Sequence, residues 1–572
     1  MVSDRQTLSY PNLSLGDMTT LVDSNKNGRL PNRAEDCSND TAQPITGVRQ
    51  VMLITALDTS IASTSLVTIS EEMDDFVNAP WIILAYLLTY MGFAVCISKL
   101  SDTYGRRNML VSSWVMFVGF SLGCALAQDM IALIICRAFQ GVGASGLYSL
   151  AQVGLVEVGP VHRPSIIGAL IGATLAVAFV LGPLVGGLVS ELSDWRWLFN
   201  MNIPFGLVAI LIITSFWPHE DVASIFSWQT FTSIDFIGST TLLFSSGFLV
   251  FAVQQAGSQT FSWQSPAIIS ALIISSLSWA AFVWWEVLLE TRRYRQIDPI
   301  FPIKLMLRRV YASGLLITLL TGFPYISLTI IIPERFQIVN GESALMGGVH
   351  ILPLLGSCAV GSFLGGAISG SRNNTSYTLI AASCLQLLGM GLMITVTGPD
   401  ASPVWQYAFQ SIFGLGVGLS FSAATIMTNI LASRQTERAS AQGAVAQARV
   451  LGGCLGLSIC TVIFNLHTNQ YLEGHLTEDQ LSTLDRSPLS GLSLPSELRQ
   501  LVRTVYADAF AEEIKVMTIV CAVMVVVSLF TWERHPAALE RLTDPKEDIS
   551  QPRRASDSGT ELEDVVSVVR TV

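Results

Sequence analysis

Asp58 and Arg137 are the side chains best placed to do chemistry, because each interrupts a long apolar run. Asp58 lies in Ala56-Leu57-Asp58-Thr59-Ser60, and Arg137 in Ile135-Cys136-Arg137-Ala138-Phe139-Gln140-Gly141. Ionisable groups at hydrocarbon depth are costly and mark proton or substrate paths by default. At about 1.5 Å per helical residue, Asp58 falls roughly 16 Å below the outer end of its run and Arg137 roughly 10 Å. That difference is no larger than the spread in where such runs end, so the two side chains can meet. A carboxylate beside a guanidinium in low dielectric is a proton site that a competing ligand can shift. It is equally a permanent ion pair that only locks two helices together, and at this point both readings stand.

Other charged or conformationally special positions follow in order. Between the second and third apolar runs the chain reads Ser98-Lys99-Leu100-Ser101-Asp102-Thr103-Tyr104-Gly105-Arg106-Arg107. Gly105 permits a tight turn, Asp102 can pair with an arginine or cap a helix, and Arg106 supplies the charge. Such a latch suits a protein whose halves move, although an ordinary basic loop looks the same. The fifth run carries Gly182-Pro183-Leu184-Val185-Gly186-Gly187, where small residues allow close helix contact and proline kinks it. Close packing alone also accounts for this pattern. Arg449, in Ala448-Arg449-Val450-Leu451-Gly452-Gly453, is a third charge inside an apolar run; it either meets substrate or braces the helices.

The elements that must hold these residues follow from composition. The 572 residues are 51% hydrophobic and only 13% charged, and the mean hydropathy is +0.52. A soluble chain needs about 25% charged residues to cover its surface. The composition therefore describes an all-α polytopic membrane protein. A crossing helix needs about 20 mostly apolar residues, and fourteen such runs occur between residues 50 and 532. With the N-terminus inside, the short inner loops collect thirteen Lys or Arg and the outer loops only Arg196 and Arg335. The positive-inside rule then places both tails in the cytoplasm. The polar first 46 residues hold no cleavable leader, so the first span is expected to act as the targeting anchor. Segment 465–512 before the last run is polar, contains Pro488 and Pro495, and is expected to be partly ordered at most. The net charge of −11 argues against nucleic acid. Only Cys37 of nine cysteines lies outside an apolar run, so no disulfide framework, zinc spacing or cofactor is expected. Gly-Lys occurs nowhere, which excludes a phosphate-binding loop of the Gly-x4-Gly-Lys type and with it an ATP-driven pump; His219-Glu220 lacks the second histidine of a helical zinc site.

Taken together these motifs resemble the major facilitator superfamily. The 98–107 loop resembles the signature between its second and third helices, with Ser98 in place of the usual opening glycine. Leu57-Asp58-Thr59, the Arg137–Gly143 stretch and the Gly182–Gly187 stretch resemble the signatures of spans one, four and five. The last of these is known as the antiporter motif and is commoner in exporters. Trp195-Arg196-Trp197-Leu198-Phe199-Asn200-Met201-Asn202-Ile203-Pro204-Phe205-Gly206 resembles the fourteen-span drug:proton antiporters, most nearly the fungal exporters of toxins and secondary metabolites.

The resemblance implies a cytoplasmic N-tail (1–46), a six-helix bundle (47–217), an inserted pair with a cytoplasmic linker (218–309), a second six-helix bundle (310–532) with its long outer loop 465–512, and a cytoplasmic C-tail (533–572). It implies alternating access around a midplane cavity lined by spans 1, 4, 9 and 12. Gln140, Tyr148, Gln152, Gln406, Gln410, Phe413 and Arg449 are then the candidate cavity residues, and Asp58 with Arg137 the coupling pair. Asp102, Gly105 and Arg106 are the candidate cytoplasmic gate, and Gly182, Pro183, Gly186 and Gly187 the moving contact. The expected function is proton-driven export of a small amphiphile at the plasma membrane, by a protein that is no enzyme. Its expected partners are the bilayer, protons and a small-molecule substrate, and a monomer is expected. A siderophore or basic amino-acid carrier, at the plasma or vacuolar membrane, and a non-transporting nutrient sensor are the competing readings; the short C-tail counts against the sensor.

Overall fold

The computed structural model describes residues 53–158, 164–217, 235–292 and 300–533, with short breaks at 56, 59, 302, 372, 397, 400–402 and 433–434. Both expected tails lie outside the described residues, as do several side chains within helices, including those of Asp102 and Gln152. Every long element is a helix, which is what hydrocarbon demands, since a helix satisfies its own backbone hydrogen bonds. In chain order they are α1 (Leu53–Met73), α2 (Pro80–Tyr104), α3 (Arg106–Leu126), α4 (Met130–Val158), α5 (Pro164–Leu192), α6 (Asn202–Phe216), α7 (Phe236–Gly257), α8 (Pro266–Arg292), α9 (Arg309–Asn340), α10 (Ala344–Ser371), α11 (Thr375–Met393), α12 (Pro403–Leu431), α13 (Gln435–Leu472) and α14 (Ser496–Leu529). Among the described residues, twelve helices are long and apolar enough to cross a membrane; α5 and α14 are not among them.

Burial sorts the apolar side chains into two large cores. One joins α1–α4 and α6 through Leu66, Tyr86, Trp114, Phe117, Leu147 and Ile213. The other joins α9–α14 through Ile317, Leu354, Phe413, Phe510 and Met517. Large apolar residues such as Ile131, Leu192, Leu277, Trp284, Phe363 and Ile519 point outward from the helices, where lipid rather than protein would cover them.

The two cores meet where α5 lies against α10 and where α2 lies against α13. Glycine makes the first contact possible. A Cβ on Gly187 would sit 2.5 Å from Leu345 Cα and 2.7 Å from the Ala344 carbonyl, and one on Gly348 would strike the Pro183 carbonyl. On the neighbouring side, Gly182 faces Ser60 and Gly186 faces Thr64 and Ile61 of α1. The kinked α5 is thus wedged between α1 and α10.

The outer segment departs from expectation. α13 runs on to Leu472, a helix spans Glu478–Arg486, a 3-10 turn spans Pro488–Ser493, and α14 begins at Ser496. A capping box starts the short helix: Thr477 Oγ1 accepts from Gln480 N, and Gln480 Oε1 accepts from Thr477 N. The segment then pins to the first half, where Glu71 accepts from Ser487 Oγ at 2.6 Å and from Leu489 N at 3.3 Å, while Phe76 N donates to the Arg486 carbonyl. The early turns of α14 carry charges, which ends an apolar run by composition. Their helical spacing nevertheless buries Val502, Val505, Tyr506, Ala509, Phe510 and Glu513 on one face.

Candidate functional site

Asp58 and Arg137 meet in a closed, buried polar network in the first half. Arg137 Nη1 donates to Asp58 Oδ2 at 2.9 Å, with side-chain exposures of 1% and 4%. The second carboxylate oxygen, Oδ1, accepts from Asn202 Nδ2 at 2.8 Å and Gln140 Nε2 at 3.3 Å. Gln140 Oε1 accepts from Arg137 at 2.8 Å, its amide donates to Ser121 Oγ at 2.8 Å, and Arg137 Nε reaches the Ile82 carbonyl. The guanidinium lies 4.3 Å from the Tyr86 ring centroid and 5.5 Å from that of Phe199. Donors from α4 and α6 therefore converge on one carboxylate of α1, while α2 and α3 hold those donors through the Ile82 carbonyl and Ser121. Burying an ion pair is costly unless its remaining lone pairs and protons are satisfied, and here both carboxylate oxygens are. Neutralising Asp58 would strip the charge from three donors at once, so a single proton can change how these helices hold together.

Gln140 belongs to this network and not to a cavity wall, in contrast to its expected place. Asn202, Ser121 and Tyr86 were not singled out as site residues from sequence. Asn202 was legible only as one polar residue in the Trp195–Gly206 stretch.

A second cluster lies between the halves. Arg449 of α13 stands 3.6 Å from the Phe421 ring centroid of α12 and has Tyr90, Tyr148, Tyr325 and Cys358 within electrostatic reach. Tyr325 meets Phe421 edge-on at 5.3 Å, and Tyr148 meets Tyr90 edge-on at 6.0 Å. Arg449 Nε has no hydrogen-bond partner among the described residues. One cation is thus walled by rings from both halves.

The remaining α12 candidates point elsewhere. Gln406 accepts from Arg335 of α9 at 3.2 Å, and Phe413 is fully buried against Gly389 of α11. Gln410 is fully buried too, with neither amide atom partnered among the described residues. Phe421, eleven residues beyond Gln410 and so close to its face, is the ring of α12 that meets Arg449.

At the C-terminal end of α2, Gly105 takes φ +82°, a conformation that disfavours any other residue, and so allows α3 to start at once. Arg106 folds back to Ser101 Oγ and the Ser98 carbonyl, and Arg107 donates to the Thr214 carbonyl of α6 at 2.5 Å. The replacement of glycine by Ser98 thus leaves the arginine anchored through backbone. Among the described residues, no group of three or more His, Cys, Asp or Glu could hold a metal ion.

A family profile described as the Major Facilitator Superfamily matches residues 51–457. The MFS-type transporter FPY5 of Fusarium mangiferae is 34% identical over 494 residues, covering 85% of this chain and 82% of that protein. Multidrug resistance protein 3 of Bacillus subtilis (strain 168) is 29% identical over 428 residues, covering 74% of this chain and 80% of that protein. Among solved structures, an inward-facing, occupied bacterial homolog of the human lysosomal transporter Spinster superposes with a TM-score of 0.57 at 13% identity. That superposition covers 89% of this chain and all of that one, a likeness of fold alone.

Proposed function

The chain belongs to the Major Facilitator Superfamily and is a multi-pass membrane transporter, not an enzyme; from that premise we propose that it is a fourteen-span exporter driven by protons. In this reading α5 and α14 complete the set of spans. Spans α1–α6 and α9–α14 form two moving halves, α7–α8 are inserted between them, and both tails lie in the cytoplasm of a plasma-membrane protein. The substrate is a small amphiphile such as a toxin, secondary metabolite or drug. A relative named for multidrug resistance supports the direction of transport.

The observation that carries the reading is the Asp58–Arg137 network. A carboxylate shared among donors from α4 and α6 is a switch whose two charge states bind those helices differently. With Asp58 ionised, the donors of Arg137, Gln140 and Asn202 hold the first half tight. A proton arriving from outside neutralises Asp58 during substrate release; its loss inside resets the network and favours new substrate at the Arg449 cluster. The α5 wedge, with Gly182, Pro183, Gly186 and Gly187, is the contact that opens and closes, and Asp102, Gly105 and Arg106 latch the inner gate.

The test is retention of a panel of labelled amphiphiles by cells expressing wild type or Asp58→Asn, each with and without a protonophore. Lower retention in wild type, abolished by the substitution and by the protonophore, is the expected result. Equal retention in all four conditions, with the protein at the cell surface, counts against export and makes uptake the next assay.

A further inference from the structure

The outer half encloses a cavity of ≈ 380 Å³ that the coupling network does not use. Its walls come from the outer ends of α1, α2, α7, α9, α13 and α14, and the 481–488 part of the outer segment forms its roof. That volume falls within the range of about 300–1,000 Å³ typical of small-molecule sites. Three acids line it: Glu334 of α9, Glu513 of α14 and Asp485 of the roof, with no Lys, Arg or His among the lining residues. Glu513 is 2% exposed, and its Oε2 has no hydrogen-bond partner among the described residues. Glu334 and Glu513 lie close enough to feel each other's charge. Its neighbour Arg335 gives no relief, for that side chain turns away to Gln406 and the Gly398 carbonyl.

A buried carboxylate without a donor is among the costliest groups a protein can keep, and a second acid beside it raises that cost. Aromatic rings surround the pair: Phe464 lies 5.4 Å from Tyr506 and 5.1 Å from Phe510, and Phe76 closes the first-half side. Carboxylates among ring faces, in a space of drug size, are what a lipophilic cation requires.

We propose that this outer cavity is a binding site for a lipophilic organic cation, with Glu513 and Glu334 as the counter-charges and the Glu478–Arg486 segment as its roof. It prefers charge of the opposite sign to that favoured by the Arg449 cluster, so it is a separate site and not an extension of it. The titratable groups facing the pair are Asp485 of the roof, Tyr506 of α14 and Cys460 of α13. Burial pushes the Asp485 carboxyl above its ordinary range. Protons therefore compete with the cation, and occupancy falls as the outer solution is acidified.

The experiment is equilibrium dialysis of the purified full-length protein in nanodiscs against radiolabelled tetraphenylphosphonium. Tetraphenylborate, of the same shape and opposite charge, is the control. Saturable phosphonium binding is expected, weakened by about ten-fold or more in Glu513→Gln and in Glu334→Gln, with no saturable binding of the borate. Asp485→Asn, a change confined to the roof, is expected to weaken binding about two- to three-fold by removing the third of the lining charges. Absent phosphonium binding, equal binding of both ions, or full affinity in well-folded Glu513→Gln and Glu334→Gln would overturn the proposal. If both glutamate variants fail to stay monodisperse, unchanged affinity in Asp485→Asn overturns it. Because binding is read without transport, failure here is distinct from failure of proton-driven export.

Discussion

Replacing Asn202 by leucine removes one donor from Asp58 with little change in side-chain volume. Asn202 is 1% exposed, and its amide gives Asp58 Oδ1 a hydrogen bond of 2.8 Å and a weaker one of 3.4 Å to Ser121 Oγ. Gln140, at 3.3 Å, is then the only donor left to that oxygen among the described residues and is too long to compensate fully. A hydrogen bond to a charged group contributes about 1.5–3 kcal/mol, and about 1.36 kcal/mol corresponds to one pH unit. That donor strengthens the network most when Asp58 is charged, so its loss favours the protonated state of the transport cycle. The acid limb of the transport profile should move up by about one to two pH units. The assay is initial export rate from inverted vesicles against the pH of the proton-supplying side, with the amount of folded protein held equal. Ser121→Ala is the control, because it keeps the 2.8 Å bond from Asn202 and loses only the outer partner of the network. A profile for Asn202→Leu that overlays wild type at normal protein level would refute the idea that this network sets the proton-dependent step.

Three further outcomes follow from single contacts. Gly187→Leu forces atoms into the Leu345 and Ala344 backbone, whose nearest approach to a Cβ is 2.5 Å. Overpacking of about 1–3 kcal/mol should cut the export rate by about five-fold or more while surface level, read by labelling, stays normal. Glu71→Ala removes both anchors of the roof at Ser487 and Leu489, so limited proteolysis within 473–495 should speed up by about five-fold or more. Phe421→Ala removes the ring 3.6 Å from Arg449. With about 0.5–2 kcal/mol at stake, the KM for export should rise by about two- to thirty-fold, with the pH profile in place.

The sequence made the apolar helices legible because a membrane span is set by composition over about 20 residues, and composition survives without any tertiary knowledge. Asp58 and Arg137 were legible for the same reason, as charges where charges are expensive. What composition cannot register is which face of a helix a polar residue takes. Asn202 and Ser121 are ordinary polar residues in apolar surroundings until α3 and α6 bring them to Asp58. Gln140 shows the converse, a residue that the resemblance placed at the cavity and whose partners instead lie on α1, α3 and α4. On α12 the spacing of Gln406, Gln410 and Phe413 could not be aimed from sequence: Phe413 packs on α11, and Phe421 meets Arg449. α14 begins twenty residues before its apolar run, because amphipathic spacing and the contacts of Tyr506 and Phe510 carry the helix through a charged stretch. The carboxylate pair of the outer cavity was invisible for that reason, since Glu513 lies in the charged stretch ahead of the apolar run and its burial depends on a helix face.

The central claim is that one proton on Asp58 drives one direction of transport. It is tested most directly by purified protein in proteoliposomes carrying a pH-sensitive dye, with a transported amphiphile identified from the cellular panel. The account predicts that wild type moves protons against substrate and substrate against an imposed proton gradient, and that Asp58→Asn does neither while still exchanging substrate at equilibrium. Gradient-driven transport by Asp58→Asn at the wild-type rate would contradict it.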